Sequence, residues 1–562
     1  MQKRKPNLIN KAFNQYFWAS ILMVAATQIA NIVDATIVGN LLGAGALAAV
    51  NLSKPLIQAF FAISCLYVFS SAMLSGMAIG KGDRGAANKL FTFTLSLSLV
   101  IGTLVTVVGL VGFGPISNVI CQSEALRPLS DAFLRVTLIS AVPQLMMYSI
   151  NQFVTMDGDP KRVSRAVIVG NVFNILLDIV FIKFCGWGIA GAAAATCIMY
   201  IVCILMVLPH FHNKGSLRLC KTRWAEVEIR RVLSIGLPLF FSTALISVQY
   251  IGNNYVCGHY LGDNGLIALA VCMQLFAFSM IILTGTLRTV QPVGAILKGM
   301  DDSQGMLMLL KRAYTFLTIS FAVFTAVLVL FPAQIGILLG VTTEDAMQVV
   351  KTALPLFSLN IVFQGLLCNL LPVYQFYDHK YLALFLSIGQ PLFPMFGFWL
   401  LKGGWIGFFL GQLAVATVLL IGTAILRGKD KTLSPVFLVP RTPEKEIYDV
   451  TIETNLEALQ ESEHALREFL LSRGLDMETA NRYVLCAEEL LKNIIQHGHA
   501  NCVDIRATDS IISIHDDGKP FNPLEYCDES EGLGLKIVHG IDIAMKYNYC
   551  FEQNMVTIVV NC

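Results

Sequence analysis

Residues 21–52 read ILMVAATQIANIVDATIVGNLLGAGALAAVNL, an apolar run in which Asp34 is the sole charge. A charged side chain within the hydrocarbon of a bilayer costs roughly 2.5–3.5 kcal/mol on insertion scales, so a chain that keeps one there keeps it for use. Carboxylates in that setting bind protons or metal cations. The run has a weak echo from Leu245, LISVQYIGNNYVCGHYLGDNGLIALAV. Gly39 and Gly43 align with Gly258 and Gly262, and Asn253 falls where Asp34 was. A hydrophobic unit repeated around one polar midplane site is the pattern of a secondary transporter.

Composition extends this reading to the whole chain. Of 562 residues, 55% are hydrophobic and 14% charged, and the mean hydropathy is +0.65, values of a polytopic membrane protein. The net charge of +2 conceals segregation: charges up to Arg427 sit almost wholly in short loops, and an ordinary soluble composition begins after Lys429. The 14 Cys are scattered without a CxxC pair and read as reduced core thiols. The basic Met1–Lys11 segment precedes a run without an A-x-A-like site, which is expected to remain as a span.

Spans of about 20 apolar residues begin near Ala12, Ala46, Leu90, Asp131, Val163 and Ala190, then near Val232, Leu266, Tyr314, Ala353, Leu382 and Trp405. The sequence thus predicts about twelve spans in two six-helix lobes, at about residues 11–210 and 228–427. Lys3–Lys11, Lys81–Lys89, Lys161–Arg165, Lys214–Arg231, Lys298–Arg312, Lys380 and Arg427–Lys431 mark alternate loops as basic. The positive-inside rule puts these loops and both termini in the cytoplasm of a multi-pass plasma-membrane protein. Gly76–Asp83 corresponds to Gly294–Asp301, and Met156–Lys161 to Phe376–Lys380, so the two halves are parallel repeats.

Other polar residues of the first half stand at helical spacing. Asn174 and Asp178 are four apart and share a helix face. Asn151 precedes the Asp157-Gly158-Asp159-Pro160 turn, and Thr196 lies in the small-residue run GIAGAAAAT. Converging, Asp34, Asn151, Asn174, Asp178 and Thr196 make an oxygen-rich pocket for H⁺ or Na⁺. The competing role for Asn174 and Thr196 is interhelical hydrogen bonding. In the second half Asn253 stands where the first has an acid, and YLALFLSIGQPLFPMFGFW carries no buried charge beyond its end.

Together DATIVGNLLGAGALAAV, IGKGD, DGDPKR, NVFNILLD and GWGIAGAAAAT resemble the MATE multidrug and toxin extrusion family over about Lys11–Arg427. The resemblance implies cation-coupled antiport by rocking of two lobes, with a small organic substrate and a coupling cation held by the first-lobe cluster. A lipid-linked oligosaccharide flippase of the same superfamily is the alternative. Against it, the spans hold hardly any Lys or Arg; Arg288, in TGTLRTVQP, is the main exception.

Residues 428–448 are rich in Pro and charge and read as a cytoplasmic linker. Residues 449–562 read as an α/β sandwich, with helices over Glu457–Arg473 and Asp476–Gln496 and strands at Cys502–Arg506, Ile511–His515 and Met555–Val560. Glu489 and Asn493 are four apart on the first motif, EELLKNIIQH, and a carboxylate beside an amide oxygen suits Mg²⁺. Asp516, in DDGKPF, suits an adenine amino group, with Gly518 allowing close approach. Gly532 and Gly534, in EGLGLKIV, free backbone N–H groups for phosphate at a helix start.

In order and spacing these three motifs resemble the N, G1 and G2 boxes of GHKL ATPases, most of all anti-sigma-factor serine kinases, whose DDGxPFNP form matches DDGKPFNP. The resemblance implies ATP and Mg²⁺ as ligands, Glu489 as general base, Asn493 as Mg²⁺ ligand, and Asp516, Gly518, Gly532 and Gly534 as further ATP contacts. The expected function is a cation-coupled antiporter whose ATP-binding domain regulates it or phosphorylates a partner. The competing class is a membrane receptor with serine-kinase output onto an anti-sigma-antagonist-like protein. No Walker A motif appears, against an ATP-powered pump, and no nucleic-acid partner is expected.

Overall fold

The computed structural model describes residues 4–121, 124, 126–213, 217–443, 446–525, 538, 540, 541 and 543–560. The apolar runs form helices because lipid offers the backbone no hydrogen-bond partner. Lobe one contains α1 (Asn7–Leu42), α2 (Ala44–Ser64), α3 (Ser70–Gly80), α4 (Arg84–Val111), α5 (Phe113–Ile120), α6 (Arg127–Ile139), α7 (Ala141–Met156), α8 (Pro160–Ile179), α9 (Gly188–Val207) and short α10 (Pro209–Asn213). Lobe two contains α11 (Ile229–Gly299), α12 (Ser303–Leu330), α13 (Pro332–Leu338), α14 (Glu344–Cys368), α15 (Leu370–Phe376), α16 (Lys380–Leu400) and α17 (Ile406–Lys429).

Among the described residues ten stretches are long and apolar enough to cross a bilayer, and α6 with α7, bent by 47°, makes an eleventh. The 71 residues of α11 would reach about 107 Å as one straight helix, over three times the hydrocarbon thickness. Gly262 breaks it, with φ 61° and ψ −157°, so α11 supplies two spans and the total reaches the expected twelve. Its repeat partner Gly43 ends α1 at φ 86°. Across the lobes α11 packs on α1 and α3. A Cβ on Gly80 would meet Ile296 O at 2.2 Å, and one on Gly299 would meet Met77 O at 2.2 Å. Only glycine at both positions lets the second spans of the two lobes close on each other at this end.

The C-terminal domain has β1 (Tyr448–Glu453), α18 (Leu456–Ser472), α19 (Met477–Asn493), β2 (Cys502–Ala507), β3 (Ile511–Asp516), β4 (Met545–Cys550) and β5 (Gln553–Val559). Its antiparallel sheet has the order β1-β2-β3-β5-β4. Strand alternation turns Val450, Ile505, Ile514 and Val556 toward Leu466, Leu470, Val484 and Leu491 of the two helices. The opposite face carries Thr451, Asp504, Arg506, His515 and Gln553, all buried. Sequence alternation identified β2, β3 and β5; β1 and β4, with mixed polar composition, are additions.

The stretch read as a linker is held in place. Tyr448 already belongs to β1, Leu438 and Val439 are buried, and Tyr374 Oη donates to Val436 O at 2.9 Å. The described cysteines are free thiols.

Candidate functional site

Asp34 on α1 and Asp178 on α8 meet where these two helices pack. Each carboxyl lies within the other's electrostatic reach. Asp178 is fully buried, and among the described residues the facing carboxyl is the sole hydrogen-bonding group within reach of its oxygens and of Asp34 Oδ1. Two carboxyls that have only each other for a partner have strong demand for a proton or cation. Asn174, one turn before Asp178, donates to Thr196 Oγ1 of α9 at 3.5 Å, and Thr196 donates to Ala192 O at 3.2 Å. That is the interhelical bonding anticipated as the competing role. Asn151 stands on α7 with Oδ1 buried and without a partner among the described residues; it makes no hydrogen bond to the carboxyl pair.

The second lobe differs in kind. Asn253, on α11, faces a cavity shared with Asn360 and Gln364 of α14 and with Tyr250, Phe276 and Phe357. Both polar atoms of Asn253 lack a partner among the described residues, as do Asn360 Oδ1 and Gln364 Oε1. Among the described residues no acid lines this cavity, so the carboxyl pair of lobe one has no counterpart among them there.

In the C-terminal domain Asp516, at the end of β3, accepts from Gly518 N at 2.8 Å and Asn554 Nδ2 at 2.9 Å, both through Oδ1. Its other oxygen makes no hydrogen bond to a described residue, and burial holds the carboxyl above its usual range. A Cβ on Gly518 would lie 2.4 Å from Gly498 O, so the turn admits only glycine. This arrangement fits an adenine amino group at Asp516. Asn493 ends α19, one turn after Glu489, and Lys492 Nζ holds Glu489 Oε1 at 3.1 Å and also bonds Glu488 Oε1. Gly532 and Gly534 lie outside the described residues.

A third constellation escaped the sequence reading. Arg4, 6% exposed, reaches Asp302 at 2.6 Å and Asp504 at 2.9 Å, with Asp449 at 3.8 Å. Asp302 caps α12 of lobe two through Gly305 N at 2.8 Å; Asp504 and Asp449 belong to the sheet. Arg506 donates to Met300 O at 3.1 Å and Asp301 O at 2.7 Å. On the lobe-one side, Asn548 Nδ2 donates to Ile79 O at 2.7 Å, Lys546 Nζ to Lys81 O at 3.2 Å, and Lys161 pairs with Glu552 at 2.7 Å. Gln553 Nε2 donates to Leu8 O at 2.9 Å. The polar sheet face therefore grips both lobes where Gly80 meets Gly299.

Charge counting explains the titration of this node. Three carboxyls share two guanidiniums. Burial acts against Asp302, yet Arg4 and Arg506 hold it below the usual carboxylate range. Asp504 is raised by burial despite Arg4. Asp449, the farthest from Arg4, is pushed up to about 7 by burial. His515, buried under the same two guanidiniums, is driven down to about 3 and stays neutral. The one signal in the sequence was the Asp504–Arg506 alternation on a strand face that an isolated sheet would leave in water.

Two pseudo-symmetric helical lobes, the first holding an intramembrane carboxyl pair, joined to a nucleotide-fold domain, define a membrane transporter with a fused ATPase-like module. The family comparisons agree. The MatE family profile matches residues 19–180 and 238–392, more than half the chain, and a histidine kinase-like ATPase domain matches residues 452–560. The chain belongs to the MATE family of multidrug efflux transporters. It is 21% identical over 333 residues to the multidrug export protein MepA of Staphylococcus saprophyticus, covering 57% of this chain and 73% of that protein. It is 25% identical over 288 residues to the probable multidrug resistance protein YoeA of Bacillus subtilis (strain 168), covering 49% and 62%. A multidrug resistance MATE transporter solved in an outward-facing conformation superposes with a TM-score of 0.67 at 21% identity, covering 77% of this chain and all of that one. A MOP superfamily transporter from Pyrococcus furiosus gives 0.65 at 21% identity, over 77% and 98%.

Proposed function

We propose that this chain exports small organic compounds, xenobiotics among them, across the plasma membrane in exchange for H⁺ or Na⁺. The observation that carries the reading is the Asp34–Asp178 pair between α1 and α8, Asp178 buried and Asp34 half-buried, with three of its oxygens lacking any donor among the described residues beyond the facing carboxyl. Two facing carboxylates repel, so uptake of a proton or Na⁺ relieves them, and a rearrangement of the lobes that separates them releases it. The basic loops and the docked domain share one face, which the positive-inside rule makes cytoplasmic, with both termini on that side.

ATP and Mg²⁺ fit the domain through Asp516, Gly518 and Asn493; when bound, the nucleotide supplies a polyanion next to β3. Asp517, the neighbour of Asp516, holds Lys11 of α1 at 3.1 Å, which ties this site to the first span. Opening the cytoplasmic face parts Ile79–Arg84 from Met300–Asp302, so the domain must release one lobe. Docking therefore favours the closed face, and nucleotide acts by tuning that grip. Phosphorylation of an anti-sigma-antagonist-like partner is the weaker reading, because Glu489 is engaged by Lys492 and the polar sheet face is occupied. In liposomes, Asp34→Asn is expected to abolish flux driven by an H⁺ or Na⁺ gradient while leaving ATP affinity unchanged. Undiminished flux in that variant at matched protein content ends the assignment of the cation site.

A further inference from the structure

A cavity lies at the interface of the lobes, walled by Ser20 of α1, Gln152 and Thr155 of α7, Val163 of α8 and, from the other lobe, Arg288 of α11. Among the described residues Arg288 is the only charged one lining it. It forms no ion pair and no hydrogen bond to a described residue, and its Nε is shielded and unpartnered. It stands eleven residues before Gly299, the end of α11, about 16 Å into the helix. Arg288 is half-buried, and because guanidinium stays charged at every accessible pH its desolvation is not relieved by deprotonation. Its planar fork matches the two oxygens of a carboxylate or phosphate. Ser20 and Gln152 add a hydroxyl and an amide donor, and no carboxylate competes. The free space, ≈ 10 Å³, holds about one water, so a larger guest enters only when the lobes part.

We propose that Arg288 binds the anionic group, carboxylate or phosphate, of an amphipathic molecule at the lobe interface. This rests on the exporter reading and refines it: the cargo includes anions and zwitterions as well as cations.

The test uses the full chain in nanodiscs of phosphatidylcholine and two matched fluorescent probes, pyrenebutyrate and a pyrenebutyl-trimethylammonium. Pyrenebutyrate is expected to bind saturably, about 10- to 100-fold more weakly to Arg288→Gln, the range for losing a charged hydrogen bond. Arg288→Lys keeps the charge but loses the planar fork, and is expected to bind with an affinity between those of the native chain and Arg288→Gln. The ammonium probe should bind all three forms alike, which also reports that the variants are folded. Added phosphatidylglycerol that displaces pyrenebutyrate from the native chain alone assigns the same site to a lipid headgroup phosphate. Equal pyrenebutyrate affinity in Arg288→Gln, or absence of both pyrenebutyrate binding and any phosphatidylglycerol effect, overturns the proposal. Gradient-driven flux of the ammonium probe without anion binding leaves the exporter standing and removes this site. Arg288-dependent anion binding without flux of either probe does the reverse.

Discussion

Replacing Arg4 with Ala is the sharpest perturbation of the domain interface. It strips Asp302 and Asp504 of their closest cation, and both are nearly inaccessible, with side chains 1% and 2% exposed. Removing one partner of a buried ion pair costs about 3–5 kcal/mol. Three features move this case to the lower end. Asp302 keeps Gly305 N and has Arg506 at 4.0 Å; Asp504 keeps the Thr451 hydroxyl; and Asp504, already raised by burial, gains a proton readily. About 3 kcal/mol corresponds to roughly a hundredfold shift toward the undocked state. Hydrogen exchange of the full chain in nanodiscs reads this shift at residues 299–303 and 79–83, the loops the sheet covers. The control is Lys5→Ala, whose pair with Glu453 spans 3.9 Å between side chains 48% and 71% exposed; such pairs contribute about 0–1 kcal/mol. If Arg4→Ala raises exchange in these loops less than threefold, or no more than Lys5→Ala does, the Arg4 node is not what holds the domain to the lobes.

Three further outcomes follow from the same geometry. Asp449 has a folded-state pKa of about 7, raised above its ordinary value by burial among Arg4, Asp302, Arg506 and Asp504. A raised carboxyl favours docking at low pH, and that contribution is lost as pH rises through about 7; energy transfer between labels on the domain and on lobe two should report weaker docking at pH 8 than at pH 6, and no such fall in Asp449→Asn. Gly518→Ala sets a methyl 2.4 Å from Gly498 O, so ATP affinity measured by calorimetry should fall by at least about tenfold. Gly80→Ala places a methyl 2.2 Å from Ile296 O; overpacking of about 1–3 kcal/mol should part the lobes at this end, read as about tenfold faster thiol labelling of Gln152→Cys from the domain side.

What the sequence by itself determined is what is encoded locally. Span number follows from runs of apolar residues, because lipid forces each run to close its own hydrogen bonds. The lobe repeat follows from Gly43 and Gly262, which recur at one spacing and break the chain at corresponding points. The nucleotide motif followed from Asp516 and Gly518, two residues apart on one turn. Tertiary structure decided everything that joins distant segments. Sequence placed Asp34 and Asp178 in one pocket by analogy of type, but only the packing of α1 on α8 sets their carboxyls face to face. The strands β1 and β4 were illegible because their polar residues lack a water-facing reason until the membrane domain covers them. The Arg4–Asp504 bond links residues 500 positions apart, and no local pattern encodes a partner at that distance. Arg288 looked like a lone exception within a span; only the fold turns it into an interlobe cavity that holds no acid.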